Sequence, residues 1–154
     1  MRAAVSGLNK YLNQGDIDLA VLNHHSQGSM PGHLGIRFTA IGPDFIIAEM
    51  PVDGRTRQPF GLLHGGASIV LAESLGGVAS NLLAGFGTDT QAVGVEVSGS
   101  HLRGVRDGKV IGICRALKTG RSMHFWRIDI IDEQGQLICS ARLTVHVSRR
   151  RPDA

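Results

Sequence analysis

Residues 63–84 read LHGGASIVLAESLGGVASNLLA, the one long helix candidate in a chain of 154 residues. Val70, Leu71, Leu75, Val78, Ala79, Leu82 and Leu83 recur at helical spacing. Gly85 is the expected stop. The segment is apolar nearly all round, which predicts a helix buried in the core. Between Gly61 and Thr88 the only Asp, Glu, Lys or Arg is Glu73. A buried carboxylate without a partner is costly. Glu73 therefore reads either as half of an ion pair at a core or subunit boundary, or as a functional group, and burial alone leaves both open.

Strand signals surround this helix. Leu34 to Ile41 and Phe45 to Met50 flank Gly42-Pro43-Asp44, a hairpin turn. Downstream come Ala92 to His101, Lys109 to Leu117, Met123 to Ile131 and Leu137 to Val147. In the first of these, Val93, Val95 and Val97 alternate with Gly94, Glu96 and Ser98. Arg106-Asp107-Gly108 and Asp132-Glu133-Gln134-Gly135 read as hairpin turns. Two strands, one buried helix and an antiparallel meander predict an α+β fold, a sheet wrapped on one helix. Leu8, Tyr11, Leu12, Leu19 and Leu22 are candidate buried positions in a helical or irregular extension over residues 1–32, which Pro31-Gly32 breaks. Residues 148–154 read as a basic tail, and the whole as a single domain over 1–154.

Composition narrows the function. Hydrophobic content of 42% and charged content of 19% fit a globular protein. No apolar run approaches the ~20 residues that span a bilayer, so no membrane partner is expected. Asn, Lys and Asp interrupt the N-terminal apolar residues too early for a signal peptide, so a cytoplasmic location is expected. Cys114 and Cys139 lack metal or redox spacing and read as small buried strand residues. His24-His25 has no partner ligands and reads as a polar loop. Basic residues gather in the last third, which suits a phosphate-bearing ligand. Aromatic content of 5% argues against nucleic acid. There is no G-x-S-x-G elbow and no H-E-x-x-H pair.

The helix start, His64-Gly65-Gly66, leaves backbone N–H groups uncovered where a helix offers unpaired donors and partial positive charge. Such a start can polarise a carbonyl oxygen, although two glycines also simply permit a tight entry. Gly65 and Glu73 are eight residues apart, ~12 Å along the axis. One helix cannot bring its own start onto a carbonyl that its own Glu73 attacks. Two antiparallel copies can, which favours a two-fold dimer with composite sites.

The run Gln58-Pro59-Phe60-Gly61-Leu62-Leu63-His64-Gly65-Gly66-Ala67-Ser68, continuing to Leu71-Ala72-Glu73-Ser74, closely resembles the signature of hot-dog-fold thioesterases. The similar branch holds the phenylacetate-pathway and aryl-CoA thioesterases. The resemblance spans Leu34 to Val147 and includes Met50-Pro51-Val52-Asp53 and Ser140-Ala141-Arg142-Leu143-Thr144. It implies that Glu73 is nucleophile or general base, that the Gly65 N–H polarises the thioester carbonyl, and that Gln58 and His64 position it. His101, Leu102, Arg103 and Gly104, the turn Lys118-Thr119-Gly120-Arg121-Ser122, and Gly94 are implied as contacts to coenzyme A or the acyl group. Many relatives carry Ser or Thr one turn after the glutamate, where this chain has Gly77. Ser74 or a water takes that role, or the acyl pocket is roomier.

The expectation is a homodimer or homotetramer that hydrolyses an aromatic or medium-sized acyl-CoA, without metal or cofactor, coenzyme A being part of substrate and product. 1,4-Dihydroxy-2-naphthoyl-CoA leads the candidates, because Gln58, His64 and His101 offer partners to ring hydroxyls; hydroxybenzoyl- and phenylacetyl-type CoA follow. The alternative is a non-catalytic acyl-CoA-binding module on the same fold, against which Glu73 argues. A hot-dog hydratase needs an acid and histidine pattern not found here.

Overall fold

A computed structural model describes residues 18–86 and 88–150. Leu8, Tyr11, Leu12 and Arg151 lie outside the described residues. Helix α1 (Leu19–Ser26) is capped by Asp18, whose carboxylate accepts the Val21 N–H at 2.8 Å. It buries Leu22 and packs Leu19 against the core. His24 and His25 lie in its last turn rather than in a loop, and His25 meets Phe86 edge-on at 5.1 Å. Pro31 and Gly32 do not break this region. They sit inside a short helix α2 (Met30–His33), where Pro31 occupies the first turn and needs no N–H partner.

Leu34 caps that helix and Gly35 turns the chain at φ 74°, so β1 is Arg37–Ile41 rather than beginning at Leu34. It pairs with β2 (Phe45–Pro51). Helix α3 (Gly65–Gly85) follows. Then come β3 (Thr90–His101), β4 (Lys109–Thr119), β5 (Met123–Asp132) and β6 (Leu137–Arg149). The last strand absorbs Ser148 and Arg149, which were read as tail.

All neighbours are antiparallel, in the order β1-β2-β4-β5-β6-β3. The meander is therefore only β4-β5-β6. Strand β3 does not pair with β4 but crosses to the far edge beside β6, so Arg106-Asp107-Gly108 belongs to a crossover and is not a hairpin turn. Asp132 to Gly135 does turn a hairpin, between β5 and β6.

Each inner strand buries alternate residues against α3: Ile46, Ala48 and Met50; Val110 and Cys114; Trp126, Ile128 and Ile130; Ala141, Leu143 and Val145. The helix answers with Leu71, Ala72, Leu75, Gly76, Ala79, Ser80 and Leu82, a stripe at spacings of three and four. The Trp126 indole N–H donates to the Ser80 hydroxyl at 2.7 Å, the buried polar bond in this seam. Both cysteines are buried and free, and burial raises both thiol pKa values. By length and composition α3 is apolar enough to cross a membrane, contrary to the expectation of no such run, but half of that apolar stretch is buried inside the fold.

Both sheet edges are held by an asparagine. Asn23 of α1 donates to the Phe38 C=O (2.9 Å) and accepts its N–H (2.8 Å) on β1. Asn81 of α3 does the same to Ala92 on β3, at 3.1 and 3.0 Å. Each carboxamide mimics a neighbouring peptide and occupies one position of an otherwise open edge.

Replacing Ser80 with Ala leaves the buried Trp126 N–H unpaired and should cost about 1–3 kcal/mol, read as a lower urea midpoint. His124 is buried with no partner for Nδ1 among the described residues, and burial lowers its pKa. Below about 6.5 the unfolded chain binds a proton at this residue that the folded chain refuses. Stability should therefore be full above that pH and fall as pH drops below it. Urea unfolding at pH 7.5 and 5.5 should show the loss, and His124→Phe should flatten it.

Candidate active site

The loop before α3 is folded around Thr56, which is buried. Its hydroxyl accepts the Asp53 N–H (3.1 Å) and donates to the Pro51 C=O (2.7 Å). Its own C=O receives the His64 N–H at 2.8 Å. Beside it, the Arg55 guanidinium holds the Asp53 carboxyl down at about 2. The helix start is thus anchored from outside by its preceding loop.

His64 is the N-cap, and its Nδ1 accepts the Gly66 N–H at 2.8 Å. Ala67 and Ser68 donate back to the His64 C=O at 3.0 and 3.3 Å. The Gly65 N–H has no acceptor among the described residues, so it is the donor left for a ligand. The His64 ring nitrogen that accepts is committed to capping.

A cleft of about 340 Å³ opens at this point and brings together Gln58, Gly65, His101, Leu102, Arg103 and Gly104. Leu62, Leu63, Ser68 and Ile138 complete its wall and were not anticipated from sequence. The Gln58 side-chain oxygen accepts the Phe60 N–H. Leu102 and Arg103 donate to the Ile138 C=O at 2.8 and 3.3 Å, which fastens the end of β3 to the start of β6. The His101 ring lies against Gly65: a β-carbon there would stand 2.6 Å from His101 Nε2.

Glu73 is not in this cleft. It is exposed in the single chain rather than buried, because only one face of α3 meets the sheet. Among the described residues it forms no ion pair and no hydrogen bond. Its carboxylate rests on β3 at Gly94, where a β-carbon would stand 2.7 Å from Oε1. One turn on, a β-carbon at Gly77 would meet nothing within 4 Å, so space beside Glu73 is open. Ser74 donates to the Val70 C=O at 2.6 Å.

Cross-strand register runs Gly94, Val145, His124, Thr119 at the Glu73 end, and His101, Cys139, Ile130 at the Gly65 end. Lys118, Thr119, Gly120, Arg121 and Ser122 accordingly lie at the Glu73 end. Gln58, His101, Leu102, Arg103 and Gly104 lie at the other. Seven positions along β3 separate Gly94 from His101, about 20 Å at strand rise. Arg103 does not share a rim with Lys118 and Arg121 within one protomer.

Residues 60–139 match the thioesterase superfamily. The chain belongs to that family. Its six-stranded antiparallel sheet around one long helix is the hot-dog architecture, and it is a thioester hydrolase. Over 131 residues the thioesterase is 50% identical to 1,4-dihydroxy-2-naphthoyl-CoA hydrolase of Escherichia coli, covering 85% of this chain and 95% of that one. It is 50% identical over 129 residues to the proofreading thioesterase EntH of Cronobacter turicensis, covering 84% and 93%. The crystal structure of thioesterase HI1161 from Haemophilus influenzae superposes with a TM-score of 0.82 at 43% identity, covering 86% of this chain and 92% of that one.

Gly65→Ala should drive the His101 ring out of the cleft and crowd the free N–H. Thioester hydrolysis should fall at least tenfold, the scale of a misplaced site, while far-ultraviolet circular dichroism stays unchanged.

Proposed function

We propose that the enzyme hydrolyses aromatic acyl-CoA thioesters in a site shared by two chains, with 1,4-dihydroxy-2-naphthoyl-CoA as the first candidate substrate. The observation that carries the shared site is the split of the candidate residues between the two ends of α3 and β3. A lone protomer holds a donor without a carboxylate at one end and a carboxylate without a donor at the other. Strand β3 is a sheet edge with Val93 and Val95 exposed at 55% and 62%. A long open edge beside exposed valines invites pairing with another strand. Antiparallel pairing of two β3 strands across a two-fold axis would turn each helix start toward the other chain's Glu73. A tetramer of two such dimers is the larger assembly we envisage.

In that site the Gly65 N–H of one chain holds the thioester oxygen, and negative charge growing on it strengthens the bond. Glu73 of the other chain acts on the carbonyl carbon, directly or through a water. The C–S bond breaks and the coenzyme A thiolate leaves. Attack through water gives the acid at once, whereas direct attack leaves a mixed anhydride on Glu73 that water hydrolyses to the acid and the free carboxylate. Gln58, His64 and His101 frame the thioester. Leu102, Arg103 and Gly104 of one chain and the turn from Lys118 to Ser122 of the other line the path of the nucleotide end, where phosphates suit arginine and turn amides, while Gly94 lies beneath Glu73 beside the thioester. These steps need no metal or cofactor. The open space at Gly77 suits a broad ring system. The relative named 1,4-dihydroxy-2-naphthoyl-CoA hydrolase supports the substrate, and two free buried thiols suit a reducing cytoplasm.

Free-thiol release over a panel of acyl-CoAs should be fastest with hydroxylated aromatic acyl groups. Equal rates for straight-chain and aromatic acyl-CoA would reject the substrate class. Glu73→Gln should lower kcat by about two orders of magnitude or more. After subunit exchange, Glu73→Ala chains mixed with Gln58→Ala chains should recover activity that neither has alone. Verified exchange without recovery would mean that each site belongs to one chain.

A further inference from the structure

Helix α3 and strand β3 exchange side chains across two glycines: the His101 ring of the strand sits on Gly65 of the helix, and the Glu73 carboxylate of the helix sits on Gly94 of the strand. We propose that Gly94 is a positioning residue for the Glu73 carboxylate, a hydrogen-only platform that fixes where the carboxylate lies. This rests on the reading of Glu73 as the catalytic carboxylate.

The usual reason for glycine does not apply at this position. Gly94 is not among the glycines with a left-handed φ, so an L-residue could adopt its backbone. Crowding is the remaining reason, and it comes from one group. A β-carbon on Gly94 would stand 2.7 Å from Glu73 Oε1 and 3.5 Å from its carboxyl carbon. The next nearest atom, Leu143 Cδ1, is at an ordinary contact distance of 3.6 Å. The space that Gly94 leaves is the space that the carboxylate fills.

Two features bring Gly94 to that place. Glu73, Gly77 and Asn81 are successive i, i+4 positions on one face of α3. Asn81 donates to the Gly77 C=O at 2.9 Å and clamps both backbone groups of Ala92. The strand is thereby tied to the helix two residues before Gly94. Just after Gly94 the register shifts: Gly94 opposes Val145 and Glu96 opposes Thr144, leaving Val95 as the extra residue of a bulge. With strict alternation Glu96 would share the face of Gly94, beside Glu73. The bulge instead turns Val97 and Gly99 inward, where Val97 packs on the core and Gly99 lies at Ile69. Glu96 is left on the outer face, so among the described residues the carboxylate on this platform is that of Glu73.

What yields to a methyl at residue 94 is the end of a flexible side chain, so the fold should tolerate it and the chemistry should not. Gly94→Ala should keep its melting temperature within a few degrees and lower kcat at least tenfold, the scale of ångström misplacement, with KM within about twofold. Gly99→Ala is the matched control, since its β-carbon intrudes equally, at 2.7 Å, on the Ile69 methyl; its kcat should stay near the parent value. A double-mutant cycle adds a readout that a structural role would not move. Glu73→Asp withdraws the carboxylate by one methylene and should cost less kcat in the Gly94→Ala background than in the parent. Glu73→Gln is measured alongside: if it keeps full activity, the catalytic reading itself fails. If Glu73→Gln is inactive, the inference is overturned by any of four results: Gly94→Ala raises KM while sparing kcat, it matches Gly99→Ala, the cycle is additive, or the Gly94→Ala chain does not fold.

Discussion

The two-way hydrogen bond between the Asn81 carboxamide and the Ala92 backbone ties the two elements that carry the site. Helix α3 bears Gly65 and Glu73, and strand β3 bears Gly94 and His101. These elements adjoin across a connection of four residues, but β3 lies at the sheet edge, where among the described residues no second strand locks its register from outside. A strand held by β6 alone can slip or twist; a carboxamide reaching from the helix cannot follow such a shift without losing both bonds. The clamp therefore converts the stiffness of the helix into a fixed strand position, and the Glu73–Gly94 and Gly65–His101 contacts inherit that precision. Asn23 performs the same service for β1 at the other edge, although there it docks a peripheral helix rather than the site.

Helix, strands and most turns were legible because they rest on local physics. The period of apolar residues marked α3 to within two residues, and a left-handed Gly85 ends it as expected. The misread parts rest on contacts distant in sequence. Arg106-Asp107-Gly108 has turn chemistry and does bend the chain, with Gly108 at φ 74°, but whether the flanking strands pair depends on β3 crossing to β6. The alternation Val93, Val95, Val97 looked regular, yet Val93 faces out and Val97 in, because a bulge inserted at Val95 leaves no mark in a run of β-branched residues. Glu73 read as buried because its helix is apolar on every side. Apolarity says that each face is to be covered; it does not say that one chain covers them all.

The candidate residues were named largely through resemblance, whereas their division into two groups follows from the register of the sheet. Asn81 and Thr56, which build the site without belonging to it, escaped notice for a chemical reason. A single Asn two turns beyond Glu73 looks like ordinary polar decoration of a helix, and Thr56 sits among loop residues where polarity is expected. The available signal was Asn81 at the same i, i+4, i+8 spacing as Glu73 and Gly77, a polar line on an apolar helix.

The same geometry bears on why the open face of α3 suits a second chain better than solvent. An unpaired strand edge next to exposed valines is a hazard for any single protomer. Among the described residues the clamp fills the position of Ala92, and the edge from Gly94 to His101 has no strand neighbour beyond β6. That open length is bounded at one end by the residue under Glu73 and at the other by the residue over Gly65. A partner strand laid antiparallel along it would cover the valines and satisfy the edge. It would also bring the partner's His101 end toward the Glu73 end of this chain. The interaction that relieves the edge is thus the one that would assemble the site, because the open length of β3 runs from the residue under Glu73 to the residue over Gly65.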